Sequence, residues 1–307
     1  MSGVKTISIM GSTGSIGTSA LSVIEEANAR SAEPVFTVDT LAAGQNAELL
    51  IDLSNAETVK LALAGTGSEV QTGSEAVIEA ATRPADRLLA AIVGIDGLPS
   101  TLAAVQAGNS VALANKESMV CAGALLKRVA AETGAAIVPT DSEHNAMFQV
   151  MERREDVERV ILTASGGPFR QTSLKDLQSV TREHALAHPR WQMGQKISID
   201  SATLFNKGLE LIEACFLFDL CEEEVEVVVH PQSVIHSAVA YRDGSVLAQM
   251  GVPDMRTPIA HALSWPDRRA PTAVERLDLI ALSQLDFEAL DSTRFPAVTL
   301  CRRALRA

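Results

Sequence analysis

Short apolar runs alternate with helix-like patterns through the first half of the chain. Residues 4–10 read as a buried strand, and from Ile16 to Ala27 apolar residues recur at spacings of three and four, which is typical of an amphipathic helix. The further strands predicted in this half are 35–41, 59–63, 90–93, 110–114 and 136–138, with helices at 74–81 and 101–107. Strands that alternate with helices predict an α/β domain built on a doubly wound parallel sheet.

The second half of the chain has a different pattern. Its predicted strands are 159–163, 225–229, 235–241 and 246–250. Asp243-Gly244 predicts a hairpin turn between the last two. A mixed or antiparallel sheet with its own helices, an α+β domain, is therefore predicted after a boundary near residue 145. The pattern becomes loop-like after Trp265-Pro266, and a new helix is predicted to begin near Phe295-Pro296.

The first predicted strand leads directly into a glycine-rich turn, GSTGSIG at residues 11–17, and then into the first helix. Gly11 can make the tight turn, Gly14 lets a pyrophosphate approach the backbone, and Gly17 permits close helix packing. The helix N-terminus offers unpaired N–H groups to phosphates. A glycine-rich turn alone is a weak signal, but its place between strand and helix predicts a Rossmann-like dinucleotide site. The GxxGxxG spacing is common where NADP is bound.

The end of the second strand bears on the choice of cofactor. An acidic residue there would bind the ribose 2′-hydroxyl of NAD, but Asp39 lies inside the strand, several residues too early. This argues for NADP. An Arg or Lys that would pair with a 2′-phosphate is also missing, because Gln45 and Asn46 offer only neutral donors.

Three carboxylates provide a candidate metal site. Asp141 and Glu143 are two residues apart, so in an extended segment both would point to one side, while Glu210 approaches from elsewhere. Oxygen-only ligands favour Mg²⁺ or Mn²⁺ over Zn²⁺, since no cysteine or histidine pair at ligand spacing accompanies them. Most DxE triplets are merely solvated, so the spacing alone is a weak signal.

Three further segments carry polar groups suited to a small phosphorylated ligand. Residues 163–169 predict a glycine loop at a strand end, whose N–H groups and Ser165 hydroxyl could meet an anion. Residues 188–194 have the rigid start, aromatic middle and glycine end of a lid. The third segment supplies two neutral donors and one cation: Ser201, Asn206 and Lys207.

Each segment also has a plainer interpretation. Ser-Gly-Gly-Pro is usually only a turn, and a lone lysine beside asparagine is usually solvated. Trp191 would ordinarily be a core or surface aromatic, and His230 and His236 fit structural histidines on strands. The joint occurrence of nucleotide, metal and phosphate features in one chain favours the functional interpretation.

Composition sets outer limits. With 307 residues and 47% hydrophobic content, the chain can bury a large core and should form two or more domains. A net charge of −12 disfavours nucleic acid and anionic membranes as partners. The four cysteines form no CxxC pair, so we expect reduced thiols in a soluble cytoplasmic protein.

Seven segments together resemble the 1-deoxy-D-xylulose 5-phosphate reductoisomerase family, in order and over nearly the whole chain. They are residues 11–17, 114–118, 141–145, 165–169, 188–194, 196–213 and 230–236. The resemblance implies a reaction of non-mevalonate isoprenoid biosynthesis: rearrangement of 1-deoxy-D-xylulose 5-phosphate to an aldehyde, then reduction with NADPH to 2-C-methyl-D-erythritol 4-phosphate. It also implies a homodimer.

The resemblance assigns roles to individual residues. It implies that Asp141, Glu143 and Glu210 hold Mg²⁺ or Mn²⁺ as a Lewis acid, and that Lys116 completes the catalytic set. The implied substrate ligands are Lys116, Ser142, Glu143, Ser165, His188, Trp191, Met193, Ser201, Asn206, Lys207 and Glu210. The implied NADPH contacts are Thr13, Gly14, Ser15, Ile16, Gly44, Gln45, Asn46, Asn115, Glu117 and Gly194.

The resemblance also divides the chain. It implies an NADPH-binding domain at 1–145, a catalytic domain for metal and substrate at 146–264 with a lid near 186–196, a linker at 265–290, and the start of a helical domain at 291–307. Family members continue through that helical domain, so we expect this chain to be a C-terminally truncated form. The chain also departs from the family pattern at Gln45, where family members usually have a basic residue that bears on the preference for NADPH.

Two other functions stay open: another NADP-dependent sugar-phosphate oxidoreductase, and a non-catalytic nucleotide-binding protein that keeps the fold. An ordinary oxidoreductase needs no three-carboxylate metal site, so metal dependence separates it from a reductoisomerase. A binding module would have lost Lys116 or one of the carboxylates, and all are present.

Overall fold

The computed structural model describes most of the chain, which divides by its internal contacts into two compact units. The described residues are 3–44, 46, 49–50, 73–187, 194–268 and 270–307. Unit 1 comprises Met1–Asp141 and Met255–Val274, and unit 2 comprises Ser142–Asp254 and Glu275–Ala307. Within the described ranges, no helix combines the length and apolar character needed to cross a membrane.

Each unit contains one five-stranded sheet. The strands of unit 1 are β1 (Lys5–Met10), β2 (Phe36–Ala42), β3 (Arg87–Ala90), β4 (Val111–Leu113) and β5 (Ile137–Pro139). The strands of unit 2 are β6 (Val157–Ala164), β7 (Val225–Val229), β8 (Ile235–Tyr241), β9 (Val246–Met250) and β10 (Glu288–Ala289). The first sheet has the order β2-β1-β3-β4-β5 and is parallel throughout. The second has the order β10-β7-β6-β8-β9 and is mixed, with only β6 and β7 parallel.

The α-helices of the described residues alternate with these strands. In chain order they are α1 (Ser15–Ala29), α2 (Ser74–Thr82), α3 (Leu98–Gln106), α4 (Lys116–Thr133), α5 (Ser142–Val150), α6 (Arg182–Leu186), α7 (Gln195–Ala202), α8 (Phe205–Phe218), α9 (Arg256–Ser264), α10 (Leu279–Leu282) and α11 (Ala297–Arg306). Helices α1 to α4 and α9 belong to unit 1, and the others belong to unit 2.

The order of the unit 1 sheet identifies a ligand-binding edge. Among the described strands, β1 lies between β2 and β3. From β1 the chain therefore continues to β2 on one side of β1, and after β2 it crosses to β3 on the other side. Ligands of such sheets bind beyond the carboxyl ends of the strands at this switch point. Because β1 ends at Met10 and β3 ends at Ala90, the segments that begin at Gly11 and Ala91 line that edge.

The two cores follow from the apolar patterns of the strands and helices. Strands β3 and β4 are buried at every position, as expected of parallel strands covered on both faces. In unit 2, Leu162, Leu211 and Val239 lie in one buried cluster. Helix α11 packs closely on α8 at Gly208, where a Cβ would lie 2.5 Å from the Cys301 sulfur.

Most predicted elements are confirmed, and the fold class is the predicted one. Strands β7, β8 and β9 begin and end where the sequence pattern places them. The predicted strand at 90–93 is wrong in its bounds, because β3 spans Arg87–Ala90 and residues 91–93 have no regular secondary structure. The strand predicted at 59–63 lies outside the described residues.

The observed units differ from the predicted domain boundaries. The chain leaves unit 1 after Asp141, close to the predicted 145, but residues 255–274 return to unit 1 instead of belonging to a second domain and a linker. The returning segment is held by long-range contacts that a local pattern does not show. The Arg256 guanidinium donates to Glu26 at 2.8 Å, and the Lys5 ammonium donates to the Trp265 backbone oxygen at 2.8 Å.

Candidate active site

The predicted glycine turn lies at the carboxyl end of β1 and depends on close backbone contacts. Gly11 has a φ of +95°, and a Cβ there would lie 2.5 Å from the backbone oxygen of Ala91. A Cβ on Gly17 would overlap the backbone oxygen of Gly11, so α1 approaches the turn only because that position lacks a side chain. Gly14 is exposed, and a Cβ there would lie 3.4 Å from the Gly11 backbone oxygen, which is an ordinary contact distance. Two glycines therefore build the turn, and the third leaves its backbone accessible.

The turn is tied to the end of β2. The N–H groups of Gly11 and Ser12 both donate to the Ala42 backbone oxygen, at 2.9 and 2.8 Å. Gly44 and Asn46, two predicted cofactor contacts, are exposed just beyond β2. The other predicted contacts of this region lie before or within the first turn of α1: Thr13, Gly14, Ser15 and Ile16.

Three more predicted site residues lie together where β4 leads into α4: Asn115, Lys116 and Glu117. Asn115 caps the helix, since its Oδ1 accepts a hydrogen bond from the Ser118 N–H at 2.8 Å. Lys116 is buried, and its Nζ lies 2.5 Å from Oδ2 of Asp141. Because β4 and β5 are parallel neighbours, their carboxyl ends bring this cation and this carboxylate together.

The structure after Asp141 corrects one prediction. The proposed convergence of Asp141 and Glu143 assumes an extended segment, but α5 begins at Ser142 and Glu143 stands in its first turn. The physical reason is local, because Asp and Ser favour positions at helix starts and Glu favours the first turn, where it complements the helix dipole. The Ser142 hydroxyl donates to Oε2 of Glu143.

A cluster of charges in unit 2 joins α5 to the first turn of α8. The Lys207 ammonium lies 3.1 Å from Oε1 of Glu143 and also contacts Oε2 of Glu210. The Asn206 amide donates to Oε1 of Glu210, so both oxygens of that carboxylate are held from within α8. The side chains of Lys207 and Glu210 are 5% and 1% exposed. Burial makes these pairings obligatory, because an uncompensated charge at this depth would be strongly destabilising.

The donor set of this cluster fits a divalent cation. Glu143 and Glu210 each offer a carboxylate oxygen, the two lie within 4.8 Å of each other, and both contact one ammonium group. Carboxylate oxygens that converge on a single cation are what Mg²⁺ or Mn²⁺ prefer. Asp141, the third predicted ligand, is the last residue of unit 1 and is bonded directly to Ser142, where α5 begins.

A second buried pair adjoins the cluster and was missed by the sequence analysis. Nδ1 of His144 lies 3.4 Å from Oε2 of Glu213, with both side chains buried. Nε2 of His144 donates to the Glu210 backbone oxygen at 2.8 Å. The pair therefore ties α5 to the helix turn that carries Glu210. One signal was available, since Glu213 lies three residues after Glu210 and hence near it on the helix surface.

The sequence favours a structural role for His236, and its side chain is buried on β8. Burial is the main reason that its pKa is lowered to about 4, and the positive charge of Lys207 lowers the pKa further. A hydrogen bond with the Gly251 backbone opposes this shift. His236 is therefore neutral at neutral pH.

Two of the predicted phosphate-binding segments meet at Gly167. The loop that follows β6 has positive φ angles at Gly166 and Gly167. A Cβ on Gly167 would lie 2.8 Å from the Ser201 backbone oxygen, so the loop and the end of α7 touch there. The Gly167 N–H donates to the Ser165 hydroxyl at 3.3 Å. The structure thus brings the segments of Ser165 and Ser201 together.

Four predicted site residues lie outside the described residues: Gln45, His188, Trp191 and Met193. The predicted lid at 186–196 is described only at its two ends. Gly194, a predicted NADPH contact, is the N-cap of α7, and its backbone oxygen accepts from the Ser198 N–H at 3.1 Å.

Family models match three parts of the chain. The model described as 1-deoxy-D-xylulose 5-phosphate reductoisomerase matches residues 7–123, and that family's C-terminal domain model matches 137–218. A DXP reductoisomerase C-terminal domain model matches residues 250–307. The chain is 49% identical to the 1-deoxy-D-xylulose 5-phosphate reductoisomerase of Nitrobacter winogradskyi, over 99% of this chain and 77% of that protein.

Solved structures of the same kind are similar over the whole fold. The 1-deoxy-D-xylulose 5-phosphate reductoisomerase of Zymomonas mobilis, in complex with NADPH, is 48% identical with a TM-score of 0.88, covering 99% of this chain and 82% of that one. A DOX-P reductoisomerase in complex with NADPH, fosmidomycin and magnesium is 43% identical with a TM-score of 0.89, covering 99% of this chain and 80% of that one.

Proposed function

The chain belongs to the 1-deoxy-D-xylulose 5-phosphate reductoisomerase family, and we propose that it converts 1-deoxy-D-xylulose 5-phosphate to 2-C-methyl-D-erythritol 4-phosphate with NADPH and a divalent metal. The observation that carries the proposal is the charge cluster of unit 2. Glu143 and Glu210 both contact the Lys207 ammonium, and Asn206 donates to Glu210, on a chain that also has a dinucleotide turn. An ordinary dehydrogenase of sugar phosphates has no need of such a cluster.

The proposed metal ligands are Asp141, Glu143 and Glu210. Support comes from the oxygen-only donor set and from the ammonium that already bridges two of these carboxylates. When bound, Mg²⁺ or Mn²⁺ supplies Lewis-acid stabilisation of oxyanion charge. The His144–Glu213 pair fixes the helix turn of Glu210, so the direction of that carboxylate is set before any ligand arrives.

The proposed substrate contacts divide into two groups. Ser165, Ser201, Asn206 and Lys207 would hold the phosphate, which is supported by the contact of the glycine loop with the end of α7 and by the buried lysine. Lys116 and Ser142 would orient the oxygens of the sugar. His188 would also hold the phosphate, and Trp191 and Met193 would cover the substrate as parts of a lid that excludes water from the aldehyde; these three roles rest on the sequence and the family resemblance.

Unit 1 is the proposed NADPH-binding domain, and unit 2 the proposed catalytic domain. The turn at Gly11 and Gly17 leaves Gly14 exposed at the start of α1, where N–H groups and the helix dipole favour a pyrophosphate. NADPH supplies the hydride that reduces the aldehyde. We further propose a cytoplasmic homodimer, as the family resemblance suggests; sedimentation of the purified chain tests the dimer.

The function is tested by following NADPH oxidation with 1-deoxy-D-xylulose 5-phosphate, using the chain with Mn²⁺ and with EDTA. The expected result is turnover that EDTA abolishes and Mn²⁺ restores. Turnover that is indifferent to EDTA would point to an ordinary oxidoreductase. Binding of NADPH without any turnover, in a folded protein, would leave only a nucleotide-binding protein.

A further inference from the structure

A distant arginine holds the turn that follows the glycine loop at 163–169. The Nη1 group of Arg294 donates to the backbone oxygens of Arg170 and Thr172, each at 2.9 Å, although it lies 124 and 122 residues further along the chain. Hydrogen bonds from a charged donor are stronger than those from a neutral one. A single side chain therefore ties together the two ends of the turn at 170–172.

Arg294 is also fixed from its own side. Its Nε donates to Oδ2 of Asp291 at 2.8 Å. The other oxygen of that carboxylate accepts the backbone N–H groups of Thr293 and Arg294. The neighbouring Phe295 is buried in one apolar cluster with Phe169 of the glycine loop. The guanidinium therefore reaches the turn from a base that is held both by a carboxylate and by the core of unit 2.

The turn acts on the glycine loop through the side chain of Arg170. Gly166 has a φ of +85°, and a Cβ there would lie 2.6 Å from Cδ of Arg170 and 3.0 Å from Cγ1 of Val229. The stem of Arg170 therefore packs directly on the glycine. The Arg170 guanidinium pairs with Glu288, which stands on β10 opposite Val229 of β7. A displaced Arg170 would leave the backbone of the loop free to move on that side.

The next residue of the loop makes the contact on which the proposed phosphate site depends. Gly167 meets the backbone oxygen of Ser201, and its N–H donates to the Ser165 hydroxyl. Ser165 and Ser201 are two of the proposed phosphate contacts. Because the two segments touch at a glycine, a small shift of the loop would change the distance between them.

We propose that Arg294 is a positioning residue for the phosphate of the substrate. It holds the turn at 170–172, and through Arg170 it keeps the glycine loop against the end of α7. Its effect reaches the phosphate only through the protein, because its hydrogen bonds go to Asp291 and to two backbone oxygens. The inference rests on the proposed function, in which that loop receives the phosphate.

The chain offers a matched control in Arg302, which lies on α11. Its side chain is 26% exposed, as is that of Arg294. Its guanidinium likewise donates to two backbone oxygens and one carboxylate, those of Glu222 and Val225. Val225 begins β7, and Val229, which contacts the glycine loop, ends it. Arg302→Gln therefore removes the same kind of anchor from unit 2, but at the other end of that strand.

Two substitutions of Arg294 differ in what they keep. Arg294→Gln removes the charge and shortens the side chain. Arg294→Lys keeps the charge, but its one nitrogen cannot bond to Asp291 and to both carbonyl groups as Nε and Nη1 do together. The lysine variant should therefore show a partial effect. It also keeps the test available if Arg294→Gln does not fold.

The experiment uses the full 307-residue chain with NADPH and Mn²⁺. It measures KM and kcat for 1-deoxy-D-xylulose 5-phosphate, and the inhibition constant of inorganic phosphate as a competitor. Arg294→Gln should raise KM and the inhibition constant about tenfold, the loss of roughly one net hydrogen bond, and Arg294→Lys about threefold. In both variants kcat should stay within about twofold, because a phosphate remote from the reacting carbons is held alike in ground and transition states.

The control and two further binding measurements show whether the effect is specific to the phosphate. Arg302→Gln should leave KM and the inhibition constant within about twofold. The dissociation constants for NADPH and for Mn²⁺ should be unchanged in all three variants, since the glycine loop is proposed to contact neither.

Three outcomes would overturn the inference. Unchanged KM and inhibition constant in the Arg294 variants would mean that the loop does not need the arginine. A fall in kcat at unchanged KM would place the effect on the chemistry, and an equal rise of KM in Arg302→Gln would make it one of general stability. Absence of turnover in the unchanged chain would instead contradict the proposed function. Calorimetry with inorganic phosphate would then still compare the loop of Arg294→Gln with that of the unchanged chain.

Discussion

The glycine turn of unit 1 and the charge cluster of unit 2 achieve rigidity in opposite ways. The turn is shaped by backbone atoms that approach where Gly11 and Gly17 have no side chain. The cluster is shaped by side-chain charges, with Lys207 shared between Glu143 and Glu210. Adding a methyl group should therefore damage the glycine turn more than changing a nearby charge would. In the charge cluster, changing a charge should do more damage than adding a methyl group.

This comparison also separates two kinds of ligand. A backbone cradle presents N–H dipoles to a pyrophosphate without carrying formal charge, which suits a protein of net charge −12. A buried cluster of carboxylates instead gives a divalent cation the charge it requires.

Glu210→Gln should have the largest effect, because it removes a proposed metal ligand without changing the size of the side chain. We expect kcat to fall by at least about 1,000-fold, since Lewis-acid stabilisation of a developing oxyanion contributes several kcal/mol. Mn²⁺ binding, measured by electron paramagnetic resonance, should be lost, and NADPH binding should be kept.

Glu213→Gln is the matched control for that variant. It removes the other buried carboxylate of the same helix, which pairs with His144. Mn²⁺ affinity should fall by about 10- to 100-fold and stay measurable, because a residue that orients a ligand affects a metal site less than the ligand itself does. If Glu213→Gln lost Mn²⁺ as fully as Glu210→Gln, the assignment of the ligands would be wrong.

Gly17→Ala should have the next largest effect, on stability. Its Cβ would overlap the Gly11 backbone oxygen, so the helix must move away from the turn, at a cost of about 3 kcal/mol in the free energy of unfolding. In Gly14→Ala the new Cβ would lie 3.4 Å from the Gly11 backbone oxygen, an ordinary contact distance. This variant should change the free energy of unfolding by less than about 0.5 kcal/mol. Urea denaturation of both variants checks this, and equal losses would contradict the close-contact account.

His236 should make the stability of the protein depend on pH. Its pKa is about 4 when folded and ordinarily 6.5, so between these values the unfolded chain binds more protons and stability falls as pH falls. Lowering the pH from 7 to 4 should cost about 3 kcal/mol through this group. His236→Gln should lose that part of the pH dependence, measured as the difference in unfolding free energy from the unchanged chain. Parallel pH profiles would contradict it.

The smallest effect is expected at an exposed ion pair. Arg83 and Glu79 are one helical turn apart, with side chains 43% and 51% exposed. Glu79→Gln should change the free energy of unfolding by less than about 0.5 kcal/mol, because water and salt already screen such pairs. A loss comparable to that of a buried charge would show that burial is not what makes the unit 2 cluster strong.

How much the sequence predicts differs between the two regions for a physical reason. The glycine turn is encoded in one contiguous stretch, and its strand and helix are the nearest neighbours along the chain, so its conformation was predictable. The pairing of Lys207 with Glu210 could likewise be expected from their spacing on one helix. Glu143 joins them only through the packing of α5 within unit 2, and its helical setting was missed.

Contacts to backbone atoms were the least predictable. The amide of Asn115 meets two carbonyl groups more than twenty residues away, and no side chain identifies those carbonyls. The return of residues 255–274 to unit 1 depends in the same way on the bond from Lys5 to the Trp265 oxygen. The roles proposed for His188, Trp191 and Met193 stay predictions from sequence.

The most direct test of the proposed function uses NADPH that carries deuterium at its transferred hydride, with 1-deoxy-D-xylulose 5-phosphate and Mn²⁺, and analyses the product by nuclear magnetic resonance. The account predicts the branched 2-C-methyl-D-erythritol 4-phosphate with one deuterium on the carbon that was the aldehyde, formed only when metal is present. A linear, deuterated sugar alcohol phosphate, with the carbon skeleton of the substrate unchanged, would contradict it.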